Sequence, residues 1–358
     1  MIAKMFDYKA KITELISIVL KEGASDLHIS AGRVPSIRVS GTLIPLVKQP
    51  VLTPEDSQGL LFAMLTEENQ KLFLGTKELD FSYSAAGGNR FRGNAFYQQG
   101  VVGVALRLIP KEIRSIEQLS LPPILGDIAR KKQGFFLVVG PVGHGKSTTL
   151  AAMIDMINHE RAAHIMTIED PIEYIYPEAE SIIDQREVRF DTKDFPTALR
   201  SLFRQDANVA MIGEMRGIET IQTAVTAAET GHLIFSTLHT NNAAQTVDRI
   251  IDTFPAEGQK QISLQLAGSL LGIFSQRLIP RVSGGRIPAH ELLLNNAAVS
   301  NLIREGRTHE LNVVIETSIE DGMIDMNHSL SELVRKGEIT AENAYKFSYN
   351  PDGLQRLL

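Results

Sequence analysis

The chain has 358 residues, about twice the size of an ordinary single domain, which predicts two domains and a sizeable core. Apolar residues at 43% and charged ones at 22% exclude wholesale disorder, a collagen-like fibre and a mucin-like stalk. A formal charge of -6 gives the molecule as a whole no attraction to nucleic acid or anionic lipid, and zero cysteines exclude disulfides, thiol catalysis and cysteine-ligated zinc or iron–sulfur sites.

Lys4, Asp7, Lys9, Lys11 and Glu14 interrupt any apolar core of a secretory signal. The most apolar later stretch, Leu266 to Phe274, is broken by Gly268, Ser269 and Gly272 and falls short of the ~20 residues a bilayer span needs. A cytosolic protein without membrane insertion is expected.

Ile12, Leu15, Ile16, Val19 and Leu20 recur at helical spacing, and Gly23 follows where a helix would stop. From Asp26 to Leu46 the pattern turns to alternation, with Ile37, Val39 and Leu43 around Ser40 and Gly41, the punctuation of a hairpin. Thr53-Pro54-Glu55-Asp56 places a capping hydroxyl, a first-turn proline and acids where a helix start wants them. Strands are expected at Leu79 to Ser84, Asn89 to Tyr97 and Val101 to Leu108. The first third is thus α+β with antiparallel hairpins, and Ile109-Pro110-Lys111-Glu112 begins a linker, giving domains 1–110 and 111–358. Apolar strands then alternate with helical stretches, at Phe135 to Val139, Ile165 to Ile168, Val209 to Ile212 and Leu233 to Leu238, the signature of a parallel sheet. Beyond Phe254 mostly helix is expected, with one strand at Glu291 to Leu294.

Gly140-Pro141-Val142-Gly143-His144-Gly145-Lys146-Ser147 fits GxxxxGK[ST], directly after an apolar strand and before the helical stretch from Thr148 to Ile157. Glycines at 140, 143 and 145 let backbone N–H groups turn toward phosphates. Lys146 brings a cation to the β/γ oxygens and Ser147 can ligate Mg²⁺, so ATP with Mg²⁺ is the expected ligand. Two carboxylates follow strands, Glu169 in Thr167-Ile168-Glu169-Asp170-Pro171 and Glu214 in Gly213-Glu214-Met215-Arg216. Strand C-termini are where an open α/β sheet puts its ligand, so each can face the metal or an attacking water, or else be a solvated loop acid. His232 and His239 bracket the strand from Leu233 to Leu238 with odd separation, so in one regular strand they point to opposite faces and share no metal. The exit Ser236 to Thr240 is the better placed to feel a γ-phosphate.

These segments in order resemble the secretion ATPase superfamily, and within it the type IV pilus retraction motors. The resemblance runs nearly end to end. It comprises Ala24-Ser25-Asp26-Leu27-His28-Ile29, the P-loop, an Asp box at Thr167 to Tyr174, a Walker B segment ending at Arg216, and a His box at Thr230 to Thr240. It implies a PAS-like α+β N-terminal domain, followed by a RecA-like P-loop ATPase domain with a helical C-terminal part. It also implies an ATP-hydrolysing homohexamer that acts in the cytoplasm, peripheral at the inner membrane through a pilus platform protein. By similarity Glu214 orients or activates water, Glu169 joins Ser147 at the metal, and His239 and His232 link nucleotide state to neighbouring elements, with Thr148 completing the phosphate site. Arg92 and Arg107 would reach a neighbouring subunit's phosphates, although read alone they are ordinary salt-bridge partners.

Extension and type II secretion relatives commonly carry a four-cysteine zinc element, and this chain has no cysteine. Its segment Ala298 to Gly306 is instead similar to the AIRNLIRE signature linked to retraction. His144 stands where serine is common, Ala207-Asn208 replaces a Pro-Asp pair, and Gly217 stands where aspartate is usual. A nucleic-acid-translocating hexamer is disfavoured by the acidic charge and the want of interleaved basic and aromatic residues, and a weakly hydrolysing nucleotide sensor is the third alternative.

Overall fold

The computed structural model describes residues 7–39 and 41–358; Lys4 and Ser40, to which the sequence assigns a role in the N-terminal segment and the first hairpin turn, lie outside them. The chain divides into two compact units, the first ending at Lys111 and the second beginning at Glu112.

In the first unit α1 (Tyr8–Lys21) starts at Asp7, whose carboxylate accepts the Ala10 N–H. It is followed by β1 (Asp26–Ser30), β2 (Ser36–Val39) and β3 (Thr42–Pro45). α2 (Pro54–Phe62) opens with the expected proline and a reciprocal capping box between Thr53 and Asp56. α3 (Glu67–Thr76), β4 (Glu78–Ala85), β5 (Asn89–Gln98) and β6 (Val101–Leu108) complete an antiparallel sheet of order β3-β2-β1-β6-β5-β4. Alternation sends Leu27, Ile37, Phe91 and Leu106 into one core with Leu15, Leu60 and Phe73 from the helices. The other face carries Arg92, Arg107, Asp26 and Arg38 in direct register across β5, β6, β1 and β2.

The second unit runs α4 (Ile124–Ala129), β7 (Gly134–Val139), α5 (Lys146–Glu160), β8 (His164–Glu169), β9 (Ile182–Glu187), α6 (Phe195–Leu202), β10 (Val209–Ile212), α7 (Ile218–Glu229) and β11 (Leu233–Leu238). Next come α8 (Ala243–Asp252), α9 (Ala256–Ser269), β12 (Leu270–Pro280) and β13 (Arg286–Leu294). The chain ends with α10 (Ala297–Glu305), α11 (Leu311–Thr317), α12 (Met326–Arg335), α13 (Ala341–Phe347) and α14 (Pro351–Leu357). Its sheet has the order β13-β12-β7-β11-β10-β8-β9, with only the β12–β13 pair antiparallel among the described strands. Phe135, Leu137 and Val139 enter one core while Phe136 and Val138 enter the other, against Leu150, Met153 and Ile154 of α5. Both faces are covered, which is why the strand is apolar throughout.

Two expectations are corrected. The region after Phe254 is mostly helical as expected, but the strand at Glu291 to Leu294 is only the end of β13, which pairs with the unexpected β12 in a long hairpin. β12 lies between β7 and β13 and is buried almost throughout, polar Ser275, Gln276 and Arg277 included, so its sequence shows no alternation of apolar and polar residues. The signal it does carry is Ile273-Phe274 and Ile279 ahead of Pro280, followed by the turn residues Ser283-Gly284-Gly285. β9 was also unforeseen, because as an edge strand it has a mixed, polar sequence.

Candidate active site

All six residues of β7 are buried, and the chain leaves its C-terminal end through Gly140, with φ +142°. A Cβ on Gly140 would stand 2.5 Å from the Gln276 carbonyl oxygen, so only glycine lets the loop pass β12 here. Gly145, at φ +84°, forms the N-cap of α5 and turns the first N–H groups of that helix toward the loop's interior. That is a fixed anion cradle.

Lys146 is 8% exposed. Its ammonium donates to the carbonyls of Gly140 at 2.9 Å and Pro141 at 3.0 Å, and stands 3.2 Å from Nδ1 of His239. Burial lowers its pKa; Glu214 and Glu173 pull it back up and Arg277 adds to the lowering. A phosphate that replaced the two carbonyls would bring the compensating charge that burial favours.

β10 and β11 deliver the opposing groups. Glu214, after β10, accepts from Arg216 at 2.7 Å and lies 3.5 Å from Nε2 of His239. Burial opposes its ionisation, but Arg216 and His239 outweigh that and lower its pKa, so it is a carboxylate at neutral pH. His239 thus stands between the Walker A lysine and the Walker B acid. Because Nδ1 faces an ammonium donor, the ring proton belongs on Nε2, toward Glu214.

The Asp box is arranged differently from expectation. Glu169 is 5% exposed and accepts from the Thr167 hydroxyl at 2.7 Å, the Glu173 N–H at 3.2 Å and Gln185 at 3.2 Å. Burial raises its pKa to about 7 against those bonds. Its oxygens brace the turn from Asp170 to Glu173 against β9, and the acid that bears on Lys146 is Glu173, four residues on. The same turn brings the Tyr174 hydroxyl within 2.8 Å of that of Thr148.

Ser147, the second residue of α5, makes no hydrogen bond through its side chain among the described residues, and no cluster of three or more His, Cys, Asp or Glu is assembled there to hold a metal by protein alone. A hydroxyl with carboxylates nearby is a hard-oxygen set that suits Mg²⁺, which takes few protein ligands and completes its shell with phosphate and water.

His232 is placed apart from the phosphate loop of its own chain. It precedes β11 at the N-terminal end of the parallel strands, about 20 Å of strand from the P-loop end. Its Nδ1 is 3.0 Å from the Ala227 carbonyl at the end of α7, and its ring meets Phe203 edge-on, so it closes a helix and contacts no phosphate-loop residue of its own chain. Arg92 and Arg107 lie in the first unit, where Arg107 is 71% exposed and donates to Asp26 at 2.9 Å. Burial disfavours a charged Asp26, but the Ser25 hydroxyl and Arg107 outweigh it and its pKa is lowered.

β12 supplies what the sequence reading missed. Phe274, Gln276 and Leu278 face α5, while Ser275 and Arg277 face the His-box exit. The Gln276 amide accepts from Thr149 of α5 at 2.6 Å and donates to the His144 carbonyl at 2.8 Å. Arg277 donates to the Asn241 side chain at 2.9 Å and stacks on Tyr349, whose hydroxyl donates to the Asn241 carbonyl. On β13, buried Glu291 accepts the Ala243 N–H at 2.8 Å and so caps α8.

The sequence profile described as type II/IV secretion system protein matches residues 102–346. The type IV pilus retraction ATPase PilT of Pseudomonas aeruginosa is 42% identical over 341 residues, covering 95% of this chain and 99% of that one. The type IV pilus ATPase PilU of the same organism is 42% identical over 346 residues, covering 96% and 90%. The crystal structure of the pilus retraction motor PilT with bound ADP superimposes with a TM-score of 0.90 at 45% identity, covering 96% of this chain and 99% of that one.

Proposed function

The chain belongs to the type II/IV secretion system ATPase family, and on that premise we propose that it is the ATP-hydrolysing motor of type IV pilus retraction. The observation that carries the reading is the meeting of Lys146, His239 and Glu214 at the C-terminal edge of the sheet, with the α5 N-terminus behind them.

In this reading the loop from Gly140 to Gly145 and the N–H groups at the start of α5 bind the β- and γ-phosphates, Lys146 neutralises their charge and Glu214 holds the attacking water. Mg²⁺, bound through Ser147 and the nucleotide, would supply Lewis-acid stabilisation of the transferred phosphoryl group. His239 keeps Glu214 oriented and feels the arrival of the γ-phosphate through Lys146. Glu173 shares the electrostatic support of Lys146, and Glu169, expected beside Ser147 at the metal, braces the turn that carries Glu173.

We further infer a homohexamer in which the first unit is the family's PAS-like domain, the second its RecA-like domain, and Arg92 or Arg107 of one subunit completes the site of the next. Such a ring would work in the cytoplasm against the inner-membrane pilus platform protein. The register that sets Arg92, Arg107 and Arg38 in one row across β5, β6 and β2 on one strand face supports this, since guanidinium groups are suited to bidentate phosphate contacts. Among the described residues no helix is long and apolar enough to cross a membrane.

The deciding experiment compares the full chain with Glu214→Gln and Lys146→Ala. The parent should turn over ATP, Glu214→Gln should bind ATP and lose turnover by about a hundredfold or more, and Lys146→Ala should lose binding itself. Parent-like turnover by Glu214→Gln would remove Glu214 from the chemistry. In cells, retraction lost while pili still extend is the outcome that fits a retraction motor.

A further inference from the structure

His144 is held from three sides. The Leu278 N–H donates to its Nδ1 at 2.9 Å, Gln276 Nε2 donates to its carbonyl at 2.8 Å, and the ring meets Phe347 of α13 edge-on at 6.3 Å between centroids. The flanking carbonyl of Gly143 accepts from Arg286 of β13 at 3.3 Å. One residue of the phosphate loop is therefore pinned to both strands of the β12–β13 hairpin, directly and through its neighbour, and to the C-terminal helices.

An N–H pointing at Nδ1 requires that nitrogen to be unprotonated, so the bond to Leu278 exists only for the neutral imidazole with its proton on Nε2. We propose that His144 is a positioning residue of the phosphate loop: in its neutral form it ties residues 143–145 to β12 and thereby sets the loop's affinity for nucleotide. The proposal rests on the ATPase reading of this site and extends it to a residue that has no part in the chemistry.

The groups that face the ring favour the neutral form. Burial lowers the pKa of His144, and Arg277 of β12, Arg286 of β13 and Lys146 of α5 lower it further. α13 offers no counter-ion, since Phe347 is its contact and Glu342 is paired with Lys346 at 2.8 Å. Protonation would set a cation against the Leu278 N–H and against three others, releasing the loop from the strand.

The test is the affinity of the full chain for a fluorescent ADP analogue, with the thermal midpoint read in parallel. His144→Ala should weaken binding about three- to tenfold at pH 7.5, the worth of one or two net hydrogen bonds, with the midpoint little changed. Gln276→Glu, which still accepts from Thr149 but turns an acceptor toward the His144 carbonyl, should weaken binding by a similar factor and decides the matter if His144→Ala fails to fold. The ratio of variant to parent dissociation constants for His144→Ala should shrink toward one as pH falls from 7.5 to 5. Equal affinities in both folded variants, or a ratio that stays constant or grows on acidification, would overturn the proposal. A parent that binds no nucleotide at all would instead count against the ATPase reading.

Discussion

Nδ1 of His239 stands 3.2 Å from the ammonium of Lys146, while its other nitrogen lies 3.5 Å from Glu214. The imidazole thus joins the P-loop lysine to the carboxylate that follows β10, and in the function proposed above a movement of Lys146 toward a nucleotide reaches Glu214 through one ring.

His239→Ala should therefore lower kcat by about ten- to a hundredfold, the worth of a hydrogen bond to a charged group of about 1.5–3 kcal/mol, while ADP affinity changes less than about threefold. Steady-state turnover and ADP binding by calorimetry separate the two. An equal loss of ADP affinity would make His239 a binding residue and not a link.

Arg92 lies directly opposite Arg107 across β5 and β6, and Arg107 is committed to Asp26. Arg92→Ala should lower ATP turnover of the assembled protein about tenfold or more, with nucleotide affinity and oligomer size by light scattering unchanged. Arg107→Ala should in addition lower the thermal midpoint, because it removes a partner that keeps buried Asp26 ionised. Full activity in both variants would remove this arginine row from catalysis.

Glu291 is the clearest source of pH-dependent stability. Burial raises its pKa to about 7 from 4.5, although the Ala243 N–H favours the anion. A carboxyl whose folded pKa is raised binds more protons folded than unfolded between those values, so its contribution is present below pH 4.5 and is lost as pH rises through 7. Glu291→Gln keeps an acceptor for Ala243 and cannot ionise, so it should gain stability over the parent as pH rises from 5 to 8, by up to about 3 kcal/mol. Denaturant melts at the two pH values measure it, and a parent advantage that grows with pH would refute the assignment.

Arg304 is exposed on α10 and donates to Asn301 at 3.2 Å, whereas Leu302 of the same helix belongs to the core. Asn301 and Leu302 line a cleft of about 390 Å³ with Glu305, Arg307 and Val313. Arg304→Ala should leave basal ATPase and the thermal midpoint within error while pili extend and fail to retract. Leu302→Ala should cost about 2–5 kcal/mol and fail through instability instead. Normal twitching by Arg304→Ala would take this helix surface out of force transmission.

The sequence by itself determined the parts whose chemistry is local. GxxxxGKS between an apolar strand and a helix fixes where the anion cradle forms, because glycine torsions and the first turn of a helix are properties of a short segment. Glu214 and His239 were legible as polar exits of parallel strands, since such strands end on one edge. Tertiary structure alone decided which groups meet there. Glu169 and Glu173 are both acids of one box, and only the turn braced against β9 puts the first in the interior and the second toward Lys146. His232 resembles His239 in the sequence and lies at the opposite, N-terminal end of the same strand. Gln276, 127 residues from Thr149, reaches the P-loop only because β12 pairs with β7. A strand buried on both faces carries no periodic mark of its neighbours, so register, and with it the hold on His144, is fixed by packing.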